Sequence, residues 1–195
     1  MFDGYNNVQK AVFEATLRLI SQKELQATSM SLISKESGIS TGSIYYYFQS
    51  KEEIVNELYL AVVKDCTKAV LKDFHTEAPI RTRFEQAWEH LIHISMENPE
   101  SFQFMEQYSF SSYIESETRK KAAEANWCGP LATLYKEAVQ SDLFIDLDPQ
   151  LMVQMHYGSV VYLIKAYFQN SISLTDDLIK KVITSCWNSV SKQSA

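Results

Sequence analysis

The most distinctive chemistry of the chain lies in residues 28–54, where small polar groups, consecutive tyrosines and a lysine follow one another. Gly42 stands inside a predicted short helix, where glycine costs about 1 kcal/mol relative to alanine but lets another surface approach the backbone closely. Tyr45, Tyr46 and Tyr47 are consecutive, so on a helix they point in different directions and cannot all be buried. Exposed hydroxyls beside a cation are typical of groups that hold phosphate.

Two short helices and a tight turn are predicted to carry these groups. Ser29 and Ser40 each precede a short helical pattern, and each can act as an N-cap by accepting a hydrogen bond from a free backbone N–H. Gly38 lies between the two helices and can adopt the left-handed backbone of a tight turn. The pattern predicts a helix-turn-helix whose second helix spans residues 40–48.

A longer helix is predicted to follow directly. Ser50 with Glu53 three residues later is a capping-box pattern, and nothing interrupts the helical pattern before residues 75–79. We expect this helix over residues 50–75, with a length of about 37 Å at 1.5 Å per residue. Lys51 would stand at its start, where free N–H groups and the positive end of the helix dipole attract phosphate.

Residues 28–54 resemble the DNA-binding domain of TetR-family regulators. The matching residues are Thr28-Ser29, Ile33-Ser34, Gly38-Ile39-Ser40, Gly42, Tyr45-Tyr46-Tyr47-Phe48 and Ser50-Lys51-Glu52-Glu53. The remainder of the chain resembles the family in length, helix content and helix order. Two residues depart from the family's pattern. Ser34 replaces the usual alanine, and Thr41 stands where lysine or arginine is frequent, which removes a possible guanine contact.

The resemblance implies a set of DNA-binding residues and a double-stranded operator. Base-edge proximity is implied for Thr41, Gly42 and Ser43, and Ser40 at the start of the same helix is included in the set. Thr41 and Ser43 can donate or accept hydrogen bonds, and the threonine methyl can contact thymine. Phosphate contacts are implied for the remaining members, which are Thr28, Ser29, Tyr45, Tyr46, Tyr47 and Lys51.

The rest of the chain is also predicted to be helical, which makes the fold class all-α. The 195 residues include only five glycines and four prolines, fewer than the turns of a β-rich fold usually need. We expect an N-terminal three-helix DNA-binding domain, 1–49, and a C-terminal helical ligand-binding and dimerisation domain, 50–195, linked by the helix at 50–75. Further helices are expected at about 80–98, 100–108, 113–128, 130–140, 149–170 and after Thr175.

The middle of the chain is rich in aromatic side chains, which suit a cavity for a flat or amphiphilic small molecule. Ordinary core packing is the alternative interpretation for each of these residues taken alone. The expected partner is a small-molecule effector of unidentified structure. The predicted ligand-binding residues are Trp88, Phe102, Met105, Tyr108, Trp127, Tyr135 and Met155.

The last two predicted helices are long and apolar beyond the needs of one core. In TetR-like proteins the corresponding pair packs against its copy as a four-helix bundle, so the resemblance implies a homodimer, and Gly158-Ser159 would permit close approach. Such a two-fold dimer would bind a near-palindromic operator. The predicted dimerisation residues are Met155, Gly158, Ser159, Tyr162, Val182, Cys186 and Trp187.

Several other classes of protein are disfavoured by the sequence. No motif for a catalytic nucleophile, phosphate loop or metalloprotease occurs, so we expect no catalytic residues and no cofactor. His90 and His93 are one turn apart but have no evident third ligand, so no metal is expected. Cys66, Cys128 and Cys186 are far apart and fit reduced thiols.

Charge and hydropathy add weaker expectations about partners and location. The net charge of −6 argues against non-specific coating of nucleic acid but not against a local DNA site. No apolar stretch approaches the roughly 20 residues of a membrane span, and the N-terminus lacks a secretory pattern. We therefore expect a cytoplasmic protein that does not enter a membrane.

Together these patterns predict a ligand-responsive repressor. It would bind a palindromic operator as a dimer and be released by a small hydrophobic or aromatic effector. One alternative is an all-helical ligand carrier or enzyme in which the helix-turn-helix is only scaffold. A second alternative is an activator of the same fold, or a regulator that answers a protein partner through its C-terminal helices.

Overall fold

Residues 1–192, the part of the chain that the computed structural model describes, form ten α-helices and no β-strand, so the predicted all-α class is confirmed. An isolated antiparallel bridge joins Phe144 to Ser191. None of the helices in this part is long and apolar enough to span a membrane. The helices are α1 Asn7–Lys23, α2 Met30–Ser37, α3 Thr41–Tyr47, α4 Lys51–Val70, α5 Ile80–Glu97, α6 Pro99–Tyr108, α7 Ser116–Ala125, α8 Cys128–Gln140, α9 Pro149–Phe168 and α10 Asp176–Val190.

The described chain packs into two compact units that are discontinuous in sequence. Unit 1 contains residues 1–65 and 98–125, and unit 2 contains residues 66–97 and 126–192. Helices α6 and α7 therefore belong to the same unit as α1 to α3, although they lie far along the chain, and α6 contacts α1. The predicted boundary between 1–49 and 50–195 does not follow this division, and it stays a prediction about function.

The short helices of unit 1 begin where the sequence predicts. The Ser29 hydroxyl caps α2 by accepting a hydrogen bond from the Leu32 backbone N–H at 3.3 Å. Between α2 and α3, Gly38 has a left-handed backbone with φ of 70°. The Ser40 hydroxyl caps α3 by accepting from the Ser43 N–H at 3.1 Å. These bonds satisfy helix-end donors that would otherwise be free.

The core of unit 1 fixes the orientation of α3. Ile44 of α3 and Ile33 of α2 are fully buried, and both belong to the same apolar cluster as α1, α4 and α6. Phe48 follows α3 directly and packs against Phe13 of α1, with ring centroids 5.6 Å apart. Burial of these side chains holds the inward face of α3 against the rest of the unit.

Helix α4 is shorter than predicted. It ends at Val70 rather than at residue 75, and the turn that follows includes Asp73, which has a left-handed backbone with φ of 60°. The Lys72 N–H donates to the carbonyl of Ala69, three residues back, which tightens the last turn. The helix of 20 residues is thus about 30 Å long.

The predicted capping box at the start of α4 forms only in part. The Ser50 hydroxyl accepts from the Glu53 N–H at 3.1 Å, as predicted. The Glu53 carboxylate, however, accepts from the N–H of Gln49 and not from that of Ser50. The chain therefore enters α4 with one of the two expected reciprocal bonds.

Two later helix boundaries also differ from the prediction, whereas two starts agree with it. Helix α7 is confined to residues 116–125, inside the predicted 113–128. Helix α8 begins at residue 128 rather than 130, since Pro130 fits the first turn, where no helical N–H bond is lost. The predicted starts of α9 and α10 are confirmed, with Asp148 and Thr175 as N-caps that accept backbone N–H bonds.

The core of unit 2 is mainly aromatic. Phe84 lies at its centre, in ring contact with Trp88, Tyr135, Phe144 and Trp187. These contacts have edge-to-face or tilted geometries, which aromatic rings prefer. The five rings bring α5, α8 and α10 together with the segment that precedes α9.

Candidate nucleic-acid interface

The tyrosine run of α3 is exposed, as its spacing predicts. Ile44 and Phe48 lie four residues apart and face the core, so the three tyrosines between them point away from it. Tyr45 is 50% exposed, Tyr46 81% and Tyr47 37%. The rings of Tyr46 and Tyr47 meet edge to face, with centroids 4.9 Å apart. This helix therefore presents three phenol groups to the outside of unit 1.

The first turn of α3 is small, polar and open. Thr41, Gly42 and Ser43 are all exposed. The hydroxyl groups of Ser40 and Ser43 form a hydrogen bond with each other at 2.8 Å. A base edge or phosphate can approach this turn without meeting a bulky side chain. The uncharged donors and acceptors here match the groups that contact base edges in a DNA groove.

Neither packing nor backbone conformation requires a glycine at position 42. A Cβ atom at this position would meet no heavy atom within 4 Å, and its backbone does not need the left-handed conformation. Glycine inside a helix costs about 1 kcal/mol relative to alanine. The packing of unit 1 therefore does not require glycine at this position.

The predicted phosphate-contact residues at the start of α2 differ in access. Ser29 is exposed, and its hydroxyl also forms a hydrogen bond with the Ser31 hydroxyl at 2.9 Å. Thr28 is only 1% exposed, and its hydroxyl donates to the Glu24 carbonyl at 2.9 Å. Its side chain faces inward, so we do not assign a phosphate contact to Thr28.

Lys51 has an internal bond that the sequence does not predict. Its side chain is half-buried at the first residue of α4, and its Nζ donates to the Leu25 carbonyl at 3.1 Å. An ammonium group has three donors, so one bond to a carbonyl does not exhaust its capacity. Lys51 therefore holds the α1–α2 turn and can still offer positive charge at the start of α4.

The seven predicted ligand-binding residues are divided between the two units. Phe102, Met105 and Tyr108 belong to unit 1, and the other four belong to unit 2. Tyr108 is buried and accepts a hydrogen bond from the Leu25 N–H at 3.2 Å. Each group can be described only within its own unit. The four in unit 2 are Trp88, Trp127, Tyr135 and Met155.

In unit 2, the predicted ligand-binding residues lie beside a histidine that the sequence did not single out. Trp88 Nε1 donates to Tyr135 Oη at 3.0 Å, and Tyr135 Oη lies 2.6 Å from His156 Nδ1. Trp127 packs edge to face on Trp88 at 5.8 Å. Burial lowers the pKa of His156 to about 4 and raises the pKa of Tyr135. This network could not be predicted from the sequence, because its members lie on three helices that are distant in the chain.

The predicted dimerisation residues of α9 form an exposed apolar stripe. Met155 is 55% exposed and Tyr162 is 74% exposed, and Ser159 is exposed beside them. A Cβ atom at Gly158 would meet no heavy atom within 4 Å. Leu151 extends the stripe and was missed by the sequence reasoning, although its spacing of four residues from Met155 was a usable signal.

The predicted dimerisation residues of α10 are less exposed than those of α9. Val182 and Cys186 are half-buried. Trp187 is 8% exposed and packs against Phe144, with ring centroids 4.9 Å apart. Because Trp187 completes the core of unit 2, we do not carry it into the proposed dimer face.

The cysteines and the remaining histidines form no further candidate site among the described residues. No disulfide joins Cys66, Cys128 and Cys186, which all lie in the described part of the chain, and burial raises the pKa of Cys128 to about 11. Among residues 1–192, no group of three or more His, Cys, Asp or Glu side chains is placed to hold a metal ion. His93 lies 4.0 Å from Glu89, one turn away on α5.

Comparison with known proteins gives matches along nearly the whole chain. Residues 12–58 match the family model "Bacterial regulatory proteins, tetR family", and residues 59–192 match "Tetracyclin repressor-like, C-terminal domain". An uncharacterised HTH-type transcriptional regulator of Haemophilus influenzae is 22% identical over 192 residues, which cover 98% of this chain and 100% of that protein.

Two solved structures share the fold. A TetR family transcription regulator from Marinobacter aquaeolei VT8 has a TM-score of 0.84 at 24% identity, with 95% of this chain and 96% of that chain covered. A putative tetR family transcription regulator from Shewanella sp. PV-4 has a TM-score of 0.82 at 22% identity, with 96% and 100% covered. The exposed α3 and the matches to both family models lead to one conclusion: the chain belongs to the TetR family of DNA-binding transcriptional regulators, which are not enzymes.

Proposed function

We propose that this regulator is a repressor that binds a near-palindromic operator as a homodimer and releases it when a small hydrophobic or aromatic molecule binds. The observation that carries the proposal is the outer face of α3. It combines three exposed tyrosines with an open, glycine-containing first turn that the packing of unit 1 does not require. A position of α3 in the major groove of DNA would account for both features.

The proposed contacts divide into two kinds. Thr41, Gly42 and Ser43 lie at base edges, where the two hydroxyl groups set sequence preference. Phosphate contacts position the protein and carry no sequence information directly. We assign phosphate contacts to Ser29, Tyr45, Tyr46, Tyr47 and Lys51, and Ser40 holds the first turn of α3 in place.

The proposed dimer uses the exposed stripe of α9. Leu151, Met155, Gly158 and Tyr162 are spaced by four, three and four residues, so they share one face of the helix. This apolar face is exposed in the single chain, and a second copy would cover it. Ser159, Val182 and the half-buried Cys186 would lie along its edges. A two-fold dimer places two recognition helices about 34–36 Å apart, which calls for an inverted repeat.

The proposed effector acts through the helical part that follows the DNA-binding segment. We keep the functional division into a DNA-binding part, 1–49, and a ligand-binding and dimerisation part, 50–195. A ligand that prefers one arrangement of the two DNA-binding segments needs a coupling of about 1–3 kcal/mol to change operator affinity roughly 5 to 150-fold. The abundance of aromatic side chains in this part favours a ligand with apolar surface.

A DNA-binding assay on two variants tests the proposed face. A duplex that the wild-type protein selects from a random pool serves as the probe. We expect Tyr46→Ala to weaken binding to this duplex and to unrelated duplexes alike, because it removes a phosphate contact. Thr41→Ala should instead change which base is preferred at one position in each half-site.

Phe110→Ala is the matched control, since Phe110 is an exposed aromatic residue of unit 1 outside α3. Binding by both α3 variants at the wild-type level, with the helical fold retained, contradicts the assignment. Loss of affinity in the control as well would mean that exposed aromatic residues act non-specifically. A reporter gene in a deletion strain then separates repressor from activator, because loss of a repressor raises transcription.

A further inference from the structure

The α1–α2 turn is held by hydrogen bonds to both backbone groups of one buried residue, Leu25. Leu25 lies two residues after the end of α1 and is 1% exposed. Its backbone N–H donates to the Tyr108 hydroxyl at 3.2 Å, and its carbonyl accepts from Lys51 Nζ at 3.1 Å. Tyr108 belongs to α6 and Lys51 to α4, so two segments that are distant in sequence both bind the backbone of Leu25.

The fastened turn leads directly to the start of α2. The Leu25 carbonyl also accepts from the Thr28 N–H at 3.1 Å, and the Thr28 hydroxyl donates to the Glu24 carbonyl. Ser29, the next residue, caps α2 and belongs to the proposed phosphate contacts. The position of Ser29 therefore depends on the bonds that hold Leu25 and Thr28.

The α6 side of this arrangement is itself tied to α4. Asn56 of α4 is 6% exposed, and its side-chain amide donates to the Tyr113 carbonyl at 3.1 Å and accepts from the Glu115 N–H at 2.9 Å. The loop after α6 is thereby held on α4. The ring of Tyr108 packs between those of Phe104 and Tyr113, with centroids 5.5 and 6.3 Å away.

We infer that Tyr108 is a positioning residue for DNA binding: its hydroxyl, opposite the Lys51 ammonium, sets the α1–α2 turn and with it the DNA-facing start of α2. This role differs from the effector contact that the sequence predicts for Tyr108, and it rests on the proposed DNA face. A buried N–H that loses its hydrogen-bond partner destabilises the conformation that buries it. Without the hydroxyl, the α1–α2 turn shifts so that the Leu25 N–H finds another acceptor. DNA binding then has to restore the original conformation of the turn, which weakens the affinity.

Tyr108→Phe tests the inference, because it removes one oxygen and keeps the ring. Tyr59→Phe is the matched control, since Tyr59 is also buried in the core of unit 1 but does not hold the turn. The probe is the duplex selected by the wild-type protein. We expect Tyr108→Phe to bind it about tenfold more weakly, or ~1.4 kcal/mol, and Tyr59→Phe to bind it like the wild type.

Hydrogen exchange of the Leu25 amide provides the second readout. Protection of this amide should fall in Tyr108→Phe and persist in Tyr59→Phe. All measurements are made well below the melting temperature of each variant, where a role limited to stability leaves the affinity of the folded protein unchanged. Thr28→Val replaces Tyr108→Phe if the latter does not fold, because it breaks the neighbouring bond of the same turn.

The outcomes separate this inference from the proposed function. Wild-type affinity in Tyr108→Phe, or in Thr28→Val where that is the variant used, overturns the inference and leaves the DNA face intact. Equal losses in Tyr108→Phe and Tyr59→Phe also overturn it, since any hydroxyl of the core would then serve. A wild-type protein that selects no duplex overturns the DNA face, and the inference falls with it.

Discussion

Gly42 is a glycine that the packing of unit 1 does not require and that we assign to the proposed DNA face. The open space around its missing side chain and its ordinary backbone leave no packing or turn requirement for glycine. Gly129, in the first turn of α8, has the same open surroundings. The two glycines differ in that Gly42 lies on the proposed DNA face and Gly129 does not.

Gly42→Ala should therefore stabilise the fold and weaken DNA binding. The expected gain is up to about 1 kcal/mol in the free energy of unfolding, because alanine has the higher helix propensity. Thermal or urea unfolding measures the gain, and a mobility-shift assay measures affinity for the selected duplex. Gly129→Ala is the control, with a similar sign in stability and no loss of affinity. A Gly42→Ala protein with undiminished affinity would show that no DNA group approaches this turn closely.

Four helices of unit 2 are connected by one directed chain of hydrogen bonds. Trp88 of α5 donates to the Tyr135 hydroxyl of α8, which lies 2.6 Å from His156 Nδ1 of α9. The Ser189 hydroxyl of α10 donates to the Cys186 carbonyl, so it accepts from His156 Nε2, which lies 3.0 Å away and carries the proton. In the neutral ring Nδ1 then accepts from the Tyr135 hydroxyl. Protonation of Nδ1 would remove this acceptor, so the chain is complete only with neutral His156.

This chain predicts a pH dependence of stability. Burial lowers the pKa of His156 to about 4, below the value of 6.5 for an exposed histidine, so the unfolded chain binds the proton more readily. The stabilisation is complete above about pH 6.5 and is lost as the pH falls towards 4, at a total cost of up to about 3 kcal/mol. Urea unfolding at several pH values measures it. In His156→Gln this part of the slope should vanish, and parallel curves for both proteins would refute the assignment.

At the scale of elements, the sequence predicts what is encoded locally. The N-caps Ser29, Ser40, Asp148 and Thr175 mark helix starts because the bonds they accept come from residues three positions ahead. The end of α4 was misplaced, since neither glycine nor proline marks it and Asp73 adopts the left-handed backbone instead.

Other features depend on contacts between segments that are distant in sequence. Tyr108 is 83 residues from Leu25, and Asn56 is 59 residues from Glu115. No periodicity or cap records such pairs, so the grouping of α6 and α7 with α1 to α3 in one unit could not be predicted. For the same reason, the exposure of the α3 tyrosines was predictable from helix geometry, whereas the internal bond of Lys51 was not.

At the scale of the whole molecule, the proposed activity requires two copies of the chain. One short recognition helix touches few base pairs, and specificity for an inverted repeat comes from two helices held at a fixed separation. The stripe formed by Leu151, Met155, Gly158 and Tyr162 is the exposed apolar face that a second copy would cover. Tyr162 is its most exposed large side chain.

Tyr162→Asp should convert the dimer into monomers and reduce operator binding while α3 stays unchanged. In a two-fold interface the substitution places two carboxylates in an apolar surface. Lys165 Nζ, 5.4 Å from the centroid of the Tyr162 ring, compensates each carboxylate only in part, so the dimer dissociation constant should rise about tenfold or more. Sedimentation measures the oligomeric state, and footprinting on the selected duplex measures occupancy of each half-site. Phe110→Asp places the same charge at an exposed aromatic position outside the stripe and should remain dimeric. A Tyr162→Asp protein that stays dimeric and protects both half-sites would place the dimer interface on another surface.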